Sequence, residues 1–370
     1  MDIVLMILYT TILLGFLVFI HEGGHYLAAR AFGVRVTEFM LGLPGPSVGF
    51  KRGETRFGVT AVPLGGYAKV CGMEAGEMSP HLEPVLASIY RRGTANMEDV
   101  ALDCGITDDE AYEALEELVE WGSITGPTKQ DEFNTYRARE VQPTKRQLKA
   151  ARPLDAAAPV TYALGEARPV PDAHELFESE YRQQYRAQPF WKRTVILVAG
   201  VAVNLLVAVV IFVIAYSVVG VDLQNTQTGA IQHVTLPPLQ AIQGGFMYIG
   251  SVVQFVVMLF NPVTAADTVS QSTSIIGIAA ISKQVVDTGL FYVLQFTAMI
   301  SVSLGIMNLL PIPPLDGGRF VVEVFQKISR KVVSVRALNN LSLAGMGLVL
   351  VFFLVVVNQD IQRFIFGNWG

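Results

Sequence analysis

Charged side chains are missing from four long runs of the chain, residues 3–20, 194–221, 288–315 and 337–359. Leu, Val, Ile and Phe dominate each run, and each is close to or beyond the roughly 20 residues that carry a helix across a bilayer. The pattern predicts four core transmembrane helices: one within residues 1–33, and others over about 194–220, 288–312 and 337–358. A fifth uncharged run, 223–266, begins polar and contains Pro237 and Pro238. Only 246–260 is strongly apolar, which is short for a crossing and suits a re-entrant or interfacial segment. The first run has Asp2 as its only early side-chain charge and no small-residue exit site. It therefore reads as a retained helix and not as a cleaved signal peptide.

Between the first two runs the pattern changes. In residues 34–73, Arg56–Ala61 and Tyr67–Cys71 flank Pro63 and Gly65-Gly66, which reads as a β-hairpin with one exposed edge. Helical periodicity follows at 82–92, 96–104 and 107–121, the last opened by a Thr107-to-Glu110 capping box. Ile124 and Phe133–Val141 then suggest a second hairpin, so residues 80–142 form a winged-helix-like module. Its third helix carries Asp108, Asp109, Glu110, Glu113, Glu116, Glu117 and Glu120, which would repel phosphate. No nucleic acid is expected; the module predicts a regulatory partner. Residues 143–193 read as a Pro- and Ala-rich linker followed by an amphipathic helix, and 194–370 as the remaining membrane core. The fold class is thus mainly α, a polytopic membrane protein with a cytoplasmic insertion.

Composition sharpens this picture. The 370 residues are 51% hydrophobic and 16% charged, with a mean hydropathy of +0.43, against roughly 25% charged in an ordinary soluble domain. These figures disfavour disorder, a fibrous repeat and a conventional cytosolic enzyme, and a net charge of −5 is no polycation. Two cysteines, Cys71 and Cys104, are too few for a disulfide scaffold and are expected as free thiols. Lys and Arg cluster after the first run, before the second and after the third. By the positive-inside rule, residues 34–193 and 316–336 face the cytoplasm, provided that 246–260 does not cross.

The candidate chemistry begins with His21-Glu22-Gly23-Gly24-His25. On a helix, residues four apart share a face, so both imidazoles can address one zinc ion while Glu22 takes a proton from water. Ionisable groups at the end of an apolar helix are costly, and a metal gives them a reason. Asp316, in Asn308-Leu309-Leu310-Pro311-Ile312-Pro313-Pro314-Leu315-Asp316-Gly317-Gly318, is the one acid in 288–322 and falls at the same depth. It is the candidate third ligand, with a helix N-cap as the plainer alternative.

HEGGH in the first run and NLLPIPPLDGG in a later one resemble the site-2 protease family of intramembrane zinc metalloproteases, closest to the bacterial regulator of sigma-E protease branch. The segment from Pro63 to Tyr67 resembles that branch's membrane-associated hairpin, and FWKRTVILVAGVAVNLL its second span. The resemblance implies peptide-bond hydrolysis in or near transmembrane segments of single-span membrane proteins, such as an anti-sigma factor or signal-peptide remnants, at the bacterial inner membrane with the site near its cytoplasmic side. It implies His21, His25 and Asp316 as zinc ligands, Glu22 as general base and Asn308 as a catalytic residue holding substrate or oxyanion. Asn204 is implied near the substrate, and Gly65 and Gly66 mark the edge expected to hold it by strand addition. Two departures stand out: Val201 follows Ala199-Gly200 where the family has Pro, and residues 222–245 are too few for the branch's external PDZ domain. Two other classes compete: a metal-binding membrane transporter or sensor, which would carry ionisable residues in several spans, and a membrane adaptor acting through the 80–142 module.

Overall fold

The computed structural model describes residues 2–62, 65–73, 76–131, 134–142, 161–224, 230–364 and 366–367. Pro63, Leu64 and most of the expected linker, 143–160, lie outside them. The chain opens with α1 (Asp2–Ala31), an uninterrupted 30-residue helix that ends before Gly33, whose φ of 77° suits glycine. It then enters a sheet of β1 (Val36–Leu41), β2 (Ser47–Arg52), β3 (Thr55–Thr60) and β4 (Gly66–Val70).

The order of that sheet is β2-β3-β1-β4, which corrects the expected hairpin. The strands at 55–60 and 66–70 do not pair with each other. β1 lies between them, parallel to β3 and antiparallel to β4, and the hairpin in this region is β2–β3. Val36, Phe39 and Met40 of β1 are buried; a strand with so much buried surface takes a central place and leaves more exposed strands at the edges.

The insertion contains α2 (Leu82–Arg92), β5 (Thr94–Asn96), α3 (Met97–Cys104), α4 (Asp108–Glu120), β6 (Ile124–Thr125) and β7 (Thr135–Ala138). The three helices start and stop within about one residue of the sequence expectation, and the Thr107–Glu110 capping box opens α4. The strands form a β5-β7-β6 sheet; β5 is the one not expected from the sequence, whose pattern assigns Asn96 to the following helix. The core of this unit is Leu86, Ile89, Leu115, Leu118, Trp121 and Tyr136. α5 (Ala173–Tyr181) packs Phe177 and Tyr181 on Trp121.

A buried polar junction joins the insertion to the rest. Arg35, just before β1, donates to Glu180 at 2.8 Å, to the Trp121 carbonyl at 3.1 Å and to Gln183 at 3.0 Å. Arg139 bridges Glu180 and Glu54. Both Cys71 and Cys104 are free.

The remaining chain comprises α6 (Phe190–Val213), which continues as a π-turn over Ile214–Val219, a ribbon of β8 (Val221–Gln224) and β9 (Ile231–Val234), α7 (Pro238–Leu259), α8 (Ala265–Ser270), α9 (Ile275–Thr288), α10 (Leu290–Asn308), α11 (Asp316–Ser329) and α12 (Val335–Phe364). Among the described residues, five helices are long and apolar enough to cross a membrane: α1, α6 with its π-turn, α7, α10 and α12. The short segment expected at 246–260 is therefore part of a continuous 22-residue helix. Its polar first turns (Gln240, Gln243) hid its start in the sequence.

α6 is the central helix, flanked by α1 and α10. His25 of α1 meets Ile196 early in α6, so the two helices run antiparallel. Gln295 meets Tyr216 and Ser301 meets Asn204, so α10 is antiparallel to α6 as well. Where α7 begins, the Leu236 N–H donates to the Tyr216 carbonyl at the far end of α6. Just beyond α8, the Ser272 carbonyl accepts from Arg363 at the end of α12. Asp360 in α12 is fully buried and caps α9 from across the fold, accepting from the Ser274 and Gly277 amides. α9 also touches α1, through Ser282 and Thr10.

Candidate metal centre

α1 and α6 pack closely because their contact is built on small residues. A Cβ on Gly24 would lie 2.6 Å from the Ala199 carbonyl oxygen. On the other side, a Cβ on Gly200 would collide with His25 Nε2 and lie 2.8 Å from His21 Cε1. The pair Ala199-Gly200 thus clears the space in which two imidazoles sit against a neighbouring helix. Gly200 has a role in the site that sequence reasoning did not assign; its one signal was a small pair inside an otherwise bulky span.

His21 and His25 are 6% and 8% exposed, one helical turn apart. His25 Nδ1 is 2.8 Å from the Ile196 carbonyl. A carbonyl only accepts, so Nδ1 carries the proton and Nε2 keeps its lone pair. The two Nε2 atoms are 3.3 Å apart. Asp316 Oδ2 is 3.0 Å from that of His21 and 3.2 Å from that of His25.

The path that brings Asp316 there is set by the irregular stretch after α10. Pro311, Pro313 and Pro314 supply no amide donors and end the helix at Asn308. α11 then folds back so tightly that a Cβ on Gly317 would run into the Leu309 carbonyl. The two glycines are required for this close approach; neither has a positive φ. Leu315 occupies the N-cap position of α11 and Asp316 makes no capping bond, so its carboxylate is directed to the histidines.

Three donor atoms thus form a triangle with sides of 3.0 to 3.3 Å. A tetrahedron whose corners are about 2.0 Å from its centre has edges of about 3.3 Å. The donor set therefore fits a four-coordinate ion with one position left open, and two imidazoles with one carboxylate suit zinc. The sequence-derived residues His21, His25 and Asp316 are brought together as one group.

The other candidates fall in different places. Glu22 lines, with His25 and Asp316, a cavity of ≈ 1100 Å³ that extends past β4 to the insertion. The backbone of Ala68 in β4 faces Glu22. Asn308 Nδ2 is 3.5 Å from His21 Nε2, at the rim of the donor triangle. Asn204 does not face the cavity: it has no exposed surface and its amide lies 3.3 Å from His21 Nδ1. Gly65 and Gly66 have local structural reasons. Gly65 has φ 85°, and a Cβ on Gly66 would lie 2.7 Å from Val18 where β4 crosses α1. Lys69, Arg186, Arg193 and Arg319 also line the cavity, with Arg193 paired to Glu323 at 3.0 Å.

The profile of Peptidase family M50 matches residues 9–352. The zinc metalloprotease RasP of Geobacillus kaustophilus is 23% identical over 95% of this chain and 97% of its own length. The regulator of sigma-W protease RasP of Bacillus subtilis is 24% identical over 95% of this chain and 97% of its own. A putative zinc metalloprotease of Helicobacter pylori is 26% identical over 97% and 99%. With a paired HEGGH and LDGG centre assembled from α1 and α11, and a match running from the first helix into the last, the chain belongs to Peptidase family M50.

Proposed function

We propose that the chain is an intramembrane zinc metalloprotease that hydrolyses peptide bonds in or near the transmembrane segments of single-span membrane proteins. The observation that carries the reading is the donor triangle of His21, His25 and Asp316 at the end of an apolar helix, with Glu22 beside it on an open cavity. Zinc held by these three residues would supply Lewis-acid activation of water and of the scissile carbonyl. Glu22 accepts the proton of the attacking water and returns it to the leaving nitrogen. Asn308 presents an amide donor at the rim, placed to meet the carbonyl oxygen as negative charge develops on it.

A helical substrate hides its carbonyls in backbone hydrogen bonds and must unwind before attack. β4 offers a place to hold the unwound segment. One side of β4 is paired with β1, while its backbone at Ala68 turns toward Glu22. A segment adding to that edge by strand pairing would pass the catalytic carboxylate. Gly65 and Gly66 serve this reading by shaping the strand and its approach to α1.

Four helices, α1, α6, α10 and α12, are the traversing ones. α7 begins beside the far end of α6, and just beyond α8 the Ser272 carbonyl meets Arg363 at the end of α12, which supports entry and exit of 236–272 on one side. The basic residues flanking the other ends of the four helices support a centre near the cytoplasmic face of a bacterial inner membrane. The winged-helix-like module 80–142 then lies in the cytoplasm beside the cavity and offers a surface for a regulatory partner. A membrane-bound anti-sigma factor fits the name of the B. subtilis relative, and signal-peptide remnants are the other substrate class.

The test is cleavage of a reconstituted single-span reporter by the wild type and Glu22→Gln, with zinc measured in both. Equal zinc with cleavage by the wild type alone is expected. Cleavage by the variant, or a wild type without zinc, would overturn the reading.

A further inference from the structure

Asn204 belongs to α6, yet its side chain serves α1. It is fully buried, and its backbone carbonyl accepts from Ser301 Oγ at 2.9 Å, which ties this point of α6 to α10. Its amide nitrogen lies 3.3 Å from His21 Nδ1, and its Oδ1 is buried without a partner among the described residues. Amide O and N have nearly the same shape, and which of them faces a neighbour is decided by the hydrogen bonds each can make. With nitrogen toward the ring, Nδ1 of His21 must accept, and the neutral imidazole then carries its proton on Nε2. That proton would sit inside the triangle formed with His25 and Asp316 and block it. With oxygen toward the ring, Nδ1 donates to Oδ1, the orphaned acceptor is satisfied, and Nε2 keeps its lone pair for the ion.

His25 already shows the same arrangement with a different partner, since its Nδ1 donates to the Ile196 carbonyl. Ile196 and Asn204 lie eight residues apart on α6, about 12 Å along the axis, and each meets one imidazole of α1. We propose that Asn204 is a positioning residue for the metal centre: its carboxamide oxygen accepts from His21 Nδ1–H, fixing the tautomer and ring angle that present Nε2 to the ion. It is thus assigned to the metal ligand rather than to the substrate. Outer partners of this kind hold the first ligands in place, and their loss costs roughly 10- to 100-fold in metal affinity. The proposal rests on the zinc-binding reading above.

The test uses the purified full-length protein, stripped of metal and titrated with zinc against a chromophoric chelator, with the visible spectrum of the cobalt form as a second readout. Asn204→Asp keeps an acceptor at the same position and cannot present a donor. Asn204→Leu keeps the approximate volume and removes the acceptor. Asn204→Asp is expected to retain wild-type zinc affinity and the wild-type cobalt spectrum. Asn204→Leu is expected to weaken zinc roughly 10- to 100-fold and to change the spectrum. Wild-type affinity and spectrum in Asn204→Leu would overturn the proposal, as would equal weakening in Asn204→Asp, which would mean that packing or the NH2 group matters. A wild type whose zinc affinity equals that of His21→Ala would instead overturn the metal centre itself, and the proposal with it.

Discussion

Asp316 Oδ2 lies 3.0 Å from His21 Nε2, across 295 positions of sequence. The contact joins the end of the first apolar helix to the first turn of α11, and the proline-rich bend after α10 gives it a direction. Replacing the carboxylate removes one donor of three and leaves two neutral imidazoles. Asp316→Ala is expected to lose zinc on dialysis and to reduce reporter cleavage to background. Elemental analysis beside the cleavage assay checks it; retained zinc with full turnover would remove Asp316 from the centre.

Gly200 has no room for a side chain, because a Cβ there would collide with His25 Nε2. Gly200→Ala is expected to push the ring off its position while α6 remains helical, Ala being the better helix former. A ligand or base displaced by about 1 Å can cost on the order of 100-fold in rate. Cleavage should therefore fall by about that factor with helical content unchanged by circular dichroism. An active Gly200→Ala would show that the two helices separate freely.

The edge of β4 can be tested through its backbone. Ala68→Pro removes the amide that turns toward Glu22, and proline is tolerated on strand edges. A lost hydrogen bond is worth roughly 0.5–1.5 kcal/mol, which is about a 2- to 10-fold effect. The expected result is a KM raised by that factor with zinc content unchanged. An unchanged KM would count against strand addition at this edge.

Glu180 is buried between Arg35 and Arg139, and the insertion hangs on this junction. Burial pushes its carboxyl up, but the two guanidiniums outweigh that and hold it below the ordinary value of 4.5. A depressed folded-state pKa means that the stabilisation is fully present above pH 4.5 and is lost as pH falls through the folded value. Glu180→Ala leaves Arg35, 1% exposed, with only the half-exposed Glu54, 3.4 Å away, to offset its charge; breaking a buried pair costs up to about 3–5 kcal/mol. The variant should melt at a lower temperature and expose Trp121 to a fluorescence quencher at pH 7. The wild type should show the same change only on acidification below the carboxylate range.

Much of the molecule was legible along the chain. Gaps in the charge located α1, α6, α10 and α12, because a bilayer forbids what a soluble fold tolerates. In the insertion, apolar periodicity and the Thr107 capping box gave α2, α3 and α4 nearly to the residue, since both signals are local. HEGGH and Asp316 were legible because ionisable groups beside apolar runs need a reason to be there. The strand order was not, because it depends on how much of β1 is buried from both sides. Nor were α7 to α9: the polar first turns of α7, and the 86 positions between Asp360 and the Ser274 amide it caps, leave no trace in a local pattern.

What the amino-acid order determined by itself was which residues are chemically able to act and on which helices they ride. Those are properties of spacing and of solvation, settled residue by residue. What only the tertiary structure decided was which neighbours make them able: Ile196 and Asn204 at the two imidazoles, Gly200 clearing their space, Ala68 at Glu22. A hydrogen bond or a close approach depends on two surfaces meeting at a distance of about 3 Å. That meeting is set by the packing of α1 on α6 and of β4 on α1, which no stretch of the chain contains on its own.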